Sequence, residues 1–384
     1  MNINLVRIIG SRGLLSFSYG YLNIILSLYL YHIGYGFITI GAIIGTAIII
    51  NALLALFLSM LADHYGRRNV LFILFILFSV SSGLFLYTRD PILISLLSGL
   101  GGFTGSGGGP IGSGGPFGAI QTALVTEFTD RKNFSRVLGI ASAIGMILNV
   151  LGSLTLSLIE NLHMDVYMLF YLASLLGLAG AIISFGIEDR RIRSRNILPK
   201  VSWKNIIKLS LPTIPSGIGA GMIMPIFSLW FNLKFHISAG EIGIIFASAN
   251  AFTTLMMLVM PLIISNRNEL KAIVWSRIGA SLSLIALAIS PTLILSWVFY
   301  VLRAGLQMGT VPIRQSFSMG IVDETERATS SGITSFTRTG FSSASPPVSG
   351  ALMSYSIDLP PLLGGIFLFF DPLLYYLLFR KHWA

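Results

Sequence analysis

Cysteine is absent from this chain of 384 residues, which excludes a disulfide framework and a thiolate metal centre. Histidine is scarce, with five scattered residues and no paired spacing of the kind a metal ion needs. Charge is also scarce: 10% of the residues are Asp, Glu, Lys or Arg, against roughly 25% in a soluble domain. No nucleophile–base set stands out, so the sequence argues against an enzyme and implies no cofactor and no metal. What fills the chain is apolar side chain, 54% of all residues, with a mean hydropathy of +0.81. That composition describes an all-α integral membrane protein whose first partner is the lipid bilayer. The opening stretch "MNINLVRIIGSRGLL" lacks a signal-peptide cleavage site and runs into a long apolar segment, so a retained first span is expected.

Segments long enough to cross a hydrocarbon core of about 30 Å recur near 8–33, 38–62, 69–88, 92–127, 135–159, 165–187, 205–232, 240–264, 270–289, 293–320, 328–354 and 361–380. Twelve helical spans are expected, because an isolated strand cannot satisfy its backbone in lipid. The formal net charge of +10 would suggest nucleic acid in a soluble protein. Here the basic residues sort by side. With the N-terminus inside, the inner segments hold Arg7, Arg67, Arg68, Arg131, Lys132, Arg136, the run from Arg190 to Lys204, Lys208, Arg267, Lys271, Arg327, Arg380 and Lys381. The outer loops hold Arg89 and Lys234. This asymmetry implies a cell-membrane protein with both termini cytoplasmic, and it accounts for the basic excess without nucleic acid.

The chain also repeats itself. "NLVR" at 4–7 resembles "NIIK" at 205–208, and "SLYL" at 27–30 resembles "SLWF" at 228–231. The stretch from Pro116 aligns without gaps on that from Pro312, with Arg131 falling on Arg327. Two pseudo-symmetric six-helix bundles are therefore expected, 1–187 and 205–384, joined by the basic cytoplasmic loop 188–204. Parallel repeats of this sort place a solute site between halves, near the midplane. One feature breaks the symmetry. From Gly66 to Arg131 is 65 residues, whereas from Glu269 to Arg327 is 58. The surplus falls in "GLGGFTGSGGGPIGSGGPFG", 99–118, which holds eleven glycines in twenty positions. It lacks the Gly-Lys-Ser/Thr ending of a phosphate loop, and no strand or suitably spaced acid marks a dinucleotide fold. The run reads as an irregular part of span four, at its outer end or lining a cavity, or as a flexible outer loop.

Between spans two and three stands "SMLADHYGRRNVLF", 59–72. Gly66 suits a tight turn with positive φ, Asp63 ends a span where it can meet a basic group or a helix N-terminus, and Arg67 and Arg68 fit the inner face. The unit Leu61, Asp63, Gly66, Arg67, Arg68 resembles the G-x-L-a-D-x-x-G-R-R signature of the major facilitator superfamily, with Ser59 in place of the first glycine. The second-half counterpart, "PLIISNRNELKAIV", is degenerate. The resemblance covers the whole chain, and it implies secondary transport by alternating access, a monomer, a small-molecule solute, a proton as candidate coupling ion, and a gating role for Asp63, Gly66, Arg67 and Arg68. The span-four arginine and the Gly-Pro run in span five of proton-coupled drug exporters are missing here.

Charges in hydrocarbon cost about 2.5–3.5 kcal/mol each on insertion scales, so each needs a reason. Span one carries Arg12, Ser16, Tyr19 and Asn23 at spacings of four, three and four, which place them on one helix face. Span ten repeats the device with Arg303, Gln307, Thr310 and Arg314, and span eleven adds Arg338. In the family, spans one, four, seven and ten line the cavity, so these nine residues are the candidate substrate-binding set. Arg12 and Arg314 lie toward the inner ends, where snorkelling would also account for them. Asp371, midway along span twelve, is a coupling carboxylate or a counter-ion to Arg303 or Arg338. Glu127 can pair with Arg131 or Arg67. The surplus of arginine over acid favours an organic anion or a polyhydroxylated metabolite as solute. The alternatives are an exporter of amphipathic drugs and a transport-inactive membrane sensor.

Overall fold

A computed structural model of the chain describes residues 3–104, 115–129, 134–188, 203–264, 269–323 and 327–380. Every regular element among them is helical. The first group comprises α1 (Ile3–His32), α2 (Phe37–Tyr65), α3 (Arg67–Leu84), α4 (Pro91–Gly101), α5 (Gly115–Glu127), α6 (Phe134–Asn161) and α7 (Leu169–Phe185). Then come α8 (Trp203–Ser210), α9 (Thr213–Ile223), α10 (Phe227–Phe235), α11 (Ala239–Ile263) and α12 (Glu269–Ile289). The chain closes with α13 (Leu293–Gly309), α14 (Val311–Ile321), α15 (Arg327–Ser343), α16 (Ser345–Tyr355) and α17 (Leu359–Phe379). Among the described residues, ten helices or joined helix runs are long and apolar enough to cross a membrane. Of the twelve expected spans, the fourth is divided into the short helices α4 and α5, and the eleventh is too polar to count by hydropathy.

The helices pack as two compact units. Unit 1 holds Met1–Arg195 with Phe227–Asn232 and His236–Ala247; unit 2 holds Asn196–Ile226, Leu233–Phe235 and Ser248–Ala384. Two stretches that follow the central basic segment in sequence thus pack in unit 1.

In unit 1, α1 crosses α6 at glycines. A Cβ on Gly152 would collide with the carbonyl of Phe17, and one on Gly20 with the carbonyl of Asn149. Polar side chains lock the crossing: Asn149 Nδ2 donates to Ser16 O (3.0 Å) and Ser153 Oγ to Gly20 O (3.0 Å). Small residues at close crossings are how helices associate in lipid, where burial of apolar surface gives little drive. The helix α4 ends inside the bundle on Gly102, whose φ of 68° is left-handed. Gly102 N and Phe103 N donate to Gly99 O (3.3 Å) and Ser98 O (3.0 Å), the paired bonds of a Schellman ending. The Phe103 ring then seats beside Phe78, Phe85 and Phe170. Span four is therefore broken at the start of the glycine run, whose residues 105–114 lie outside the described part.

In unit 2, α9 is the hub. Gly217 and Gly221 turn one face to α15, pressing against the backbone of Arg338 and Ser342, while Gly219 meets Gly364 of α17. On α13, Gly305 and Gly309 pack against Phe252 and Met256 of α11. Arg303 and Gln307, out of phase with those glycines by about half a turn, take the other side of α13.

Candidate solute site and gating motif

The turn between α2 and α3 is a single residue, Gly66, with φ 90° and ψ 137°. A side chain there would be strained, which explains the glycine. Arg67 ion-pairs with Glu127 at the end of α5, whose side chain is 1% exposed, and its Nη1 also reaches Ala123 O at 3.4 Å. Arg68 binds Asn69 Oδ1 through Nε and Nη2 (both 3.2 Å) and stacks its guanidinium 5.4 Å from the Phe185 ring centre. Of the two partners the sequence offered for Glu127, Arg67 is the one seen. Arg131 and the side chain of Asp63 lie outside the described part.

On α1 the polar stripe is buried. Arg12 is 1% exposed and donates through Nη1 to Gln121 Oε1 of α5 at 3.4 Å. Snorkelling does not account for it; Gly145 of α6 leaves room for it beside Ser16. Ser16 is fully buried, and among the described residues neither its hydroxyl nor Gln121 Nε2 has a hydrogen-bond partner. Tyr19 differs in kind from the rest of the stripe. Its hydroxyl donates to Gly101 O (2.9 Å) and, with Asn51 Nδ2 on Gly99 O (3.1 Å), caps the broken end of α4. Asn23 is half-buried, its Oδ1 unpartnered among the described residues. Gln121, Asn51 and Asn149 escape a sequence reading because lone polar residues in apolar runs carry no periodic signal.

In unit 2 the structure corrects one pairing. Asp371, 2% exposed, ion-pairs with Arg277 of α12, and not with Arg303 or Arg338. The reason is helix adjacency. α12 and α17 pack along their length, with Gly365 against Ile285 and the Arg277 guanidinium 5.5 Å from the Tyr375 ring centre. Among the described residues Arg303, 1% exposed, has Met224 Sδ at 4.0 Å from Nη1, and its Nε and Nη2 have no partner. Gln307 and Thr310 are also buried. Pro312 divides span ten at Thr310, yet Arg314 N still donates to Thr310 O (2.9 Å), so the stripe runs on into α14. Arg314 and Arg338 are half-buried. Arg338 feels the charges of Arg314 and Arg303, and Arg277 those of Arg314 and Arg338.

A further set of contacts lies in unit 1 at the end of α1 and α6 far from Gly66. Ser27 Oγ and Ser228 Oγ are 2.8 Å apart, and Ser228 Oγ also meets Ile24 O at 2.8 Å. Glu160 Oε2 accepts from Ser238 Oγ (2.8 Å) and Gly240 N (2.7 Å) at the N-terminus of α11. Ser238 and Glu241 already form a capping box there, with Ser238 N on Glu241 Oε2 (2.8 Å) and Glu241 N on Ser238 Oγ (3.2 Å). Glu160 adds a second anion to a helix end that favours one. A Cβ on Gly240 would strike Glu160, and one on Gly243 would lie 2.5 Å from Ser153 O.

Comparison with known proteins agrees with this architecture. Residues 8–346 match the family model of the Major Facilitator Superfamily. The quinolone resistance protein NorA of Staphylococcus aureus (strain MRSA252) is 24% identical over 353 residues, covering 88% of this chain and 86% of that protein. Among solved structures, the nucleoside transporter NupG superposes with a TM-score of 0.76 at 15% identity, covering 99% of this chain and 100% of its own. The human organic anion transporter MFSD10 (TETRAN) superposes at 0.66 with 13% identity, covering 98% and 100%. An auto-inhibited peptide transporter of the POT family gives 0.77 at 13% identity, covering 98% and 97%. With the apolar helices, the single-glycine turn and the family match in agreement, the chain belongs to the major facilitator superfamily and is a multi-pass membrane transport protein.

Proposed function

We propose that the chain is a secondary transporter that carries a small organic anion across the cell membrane by alternating access, as a monomer with both termini cytoplasmic. The observation that carries this reading is Arg303, buried on α13 with Nε and Nη2 unpartnered and no carboxylate bound to it among the described residues. A guanidinium at membrane depth costs about 2.5–3.5 kcal/mol, and a bound anion offsets that cost where the protein supplies no acid. Gln307 and Thr310 on the same helix add polar groups suited to orienting such a solute. The Gly66 turn with its Arg67–Glu127 pair, and the Ser27–Ser228 and Glu160 contacts at the far end of α1 and α6, support gating at two ends. Contacts of that kind contribute little net energy each, so they can break and re-form during a cycle. The proton is the coupling ion to test first, by comparing flux with and without a pH gradient.

A second reading, export of amphipathic compounds, is favoured by the similarity to a quinolone resistance protein. One experiment separates the two. Purified protein is screened by thermal shift against anionic, neutral and hydrophobic cationic compounds, and hits are carried into proteoliposome flux. The anion reading expects hits among anions that Arg303→Gln abolishes. Hits confined to hydrophobic cations and indifferent to Arg303→Gln would replace it with the second.

A further inference from the structure

We infer that a groove between α12 and α17 seats an acyl chain of an anionic phospholipid, whose headgroup phosphate lies against Lys271 and Arg380. The groove encloses about 250 Å³. Val274 and Pro372, both buried, form its floor; Trp275, Leu373 and Tyr376 form an exposed rim, and Ile278 is half-buried between. Small-molecule clefts run to about 300–1,000 Å³ and enclose most of their ligand. This space therefore suits a stretch of hydrocarbon chain rather than a compact solute. Trp275 is 65% exposed, and with Tyr376 it supplies the two amphipathic rings that favour the level where hydrocarbon meets headgroups.

Charge complementarity selects the lipid. Gly365 packs on Ile285, the Arg277 guanidinium stands over Tyr375, and Leu270 shares an apolar cluster with Phe379. The two helices thus run antiparallel, with the first turn of α12 level with the last turn of α17. Lys271 precedes Trp275 by four residues, and Arg380 follows Tyr376 by four. Each cation therefore stands on the helix face of a rim ring, about 6 Å nearer the same membrane surface. Lys271 is half-buried and Arg380 exposed, and among the described residues neither is ion-paired. Glu269, the acid nearest Lys271 in sequence, accepts from Ser316 Oγ of α14 (3.0 Å). Two cations over an apolar groove match a phosphate joined to an acyl chain, and a zwitterionic headgroup, which brings its own cation, gains less. The groove also covers the Arg277–Asp371 pair, since Ile278 and Pro372 in its walls follow those residues directly. A chain lodged there keeps water from the pair, which ties the lipid to the stability of the fold.

Trp275 makes the groove its own reporter. The full chain is reconstituted in phosphatidylcholine vesicles that carry a lipid brominated on its acyl chains, with either a phosphatidylglycerol or a phosphatidylcholine headgroup. Quenching at Trp275 is the difference between wild type and Trp275→Phe. Each basic residue beside an anionic headgroup is worth roughly fivefold in partition. Half-maximal quenching is therefore expected at a mole fraction of phosphatidylglycerol at least about tenfold below that of phosphatidylcholine. The double variant Lys271→Gln, Arg380→Gln should bring the two lipids to within about twofold. Phosphatidylglycerol should also raise the melting temperature of wild type and not that of the double variant. Equal quenching by both lipids in wild type would make the groove ordinary lipid-facing surface and overturn the inference. A phosphatidylglycerol preference carried by the tryptophans that remain in Trp275→Phe, and absent from the difference, would place the lipid elsewhere and overturn it too. So would a native mass spectrum showing a dimer without retained lipid, since a second copy would then cover this face. The substituted side chains are exposed or half-buried, so the variants keep the fold in which the comparison is made.

Discussion

Replacing Asp371 by Asn tests whether the Arg277–Asp371 pair is structural. Both partners are buried, Arg277 6% and Asp371 2% exposed, and Arg277 stands over the Tyr375 ring. The substitution keeps shape and removes one charge. The guanidinium that remains cannot shed its own charge, and it faces the like charges of Arg314 and Arg338. Breaking a buried pair from one side costs about 3–5 kcal/mol, and a lone arginine at membrane depth about 2.5–3.5 kcal/mol. The two figures meet near 3 kcal/mol, which is about two decades in the folded-to-unfolded ratio. Unfolding in mixed micelles by a denaturing detergent measures it. Replacing the pair together, Arg277→Met with Asp371→Leu, should recover most of the loss, since buried pairs are often near neutral against apolar packing. A double variant as unstable as the sum of Arg277→Met and Asp371→Leu would refute the coupling. Asp371→Asn should also leave anion affinity within about twofold of wild type, because Arg303 does not depend on that carboxylate.

Gly66→Val should abolish flux while the protein still inserts, because φ 90° is closed to a β-branched residue; Asp63→Asn, in the same motif, should lower flux, and normal transport in both would remove the motif from the mechanism. Ser27→Cys with Ser228→Cys places two thiols where hydroxyls are 2.8 Å apart, in a chain with no other cysteine. An oxidant should cross-link the pair and stop flux reversibly, and full flux in the cross-linked protein would show that this contact need not part. Glu160→Gln removes an anion from the α11 N-terminus, worth about 0.3–1 kcal/mol, and should slow that cross-linking several-fold; an unchanged rate would mean that Glu160 does not hold the seam.

Much of the fold is legible in the chain because lipid leaves few choices. Long apolar runs have to be helices, and a glycine before two arginines marks a turn that the structure makes with one residue. The broken fourth span is legible too, since eleven glycines in twenty positions cannot be a good helix. Where it breaks is not. The stop at Gly102 depends on Phe103 finding a pocket among Phe78, Phe85 and Phe170, and on Tyr19 and Asn51 capping the free carbonyls, and those residues come from α1, α2, α3, α7 and the turn after α3.

The polar site shows the same limit from another side. Spacing places Arg303, Gln307 and Thr310 on one face, because a single helix fixes that geometry, and they are buried together. It cannot say which acid answers which arginine, since that depends on which helices are neighbours. Asp371 was free to meet any of several arginines until α17 was laid against α12, where Gly365 lets Ile285 come close. That glycine is invisible to hydropathy, yet by letting Asp371 meet Arg277 it leaves Arg303 without an acid among the described residues. The repeat carries a signal of a different sort. "SLYL" and "SLWF" align Ser27 with Ser228, and these two equivalents touch. Arg303 has no such advantage, because its alignment partner near residue 107 lies in the glycine run and carries no charge. The charge that defines the candidate site is thus the place where the second half departs from the first.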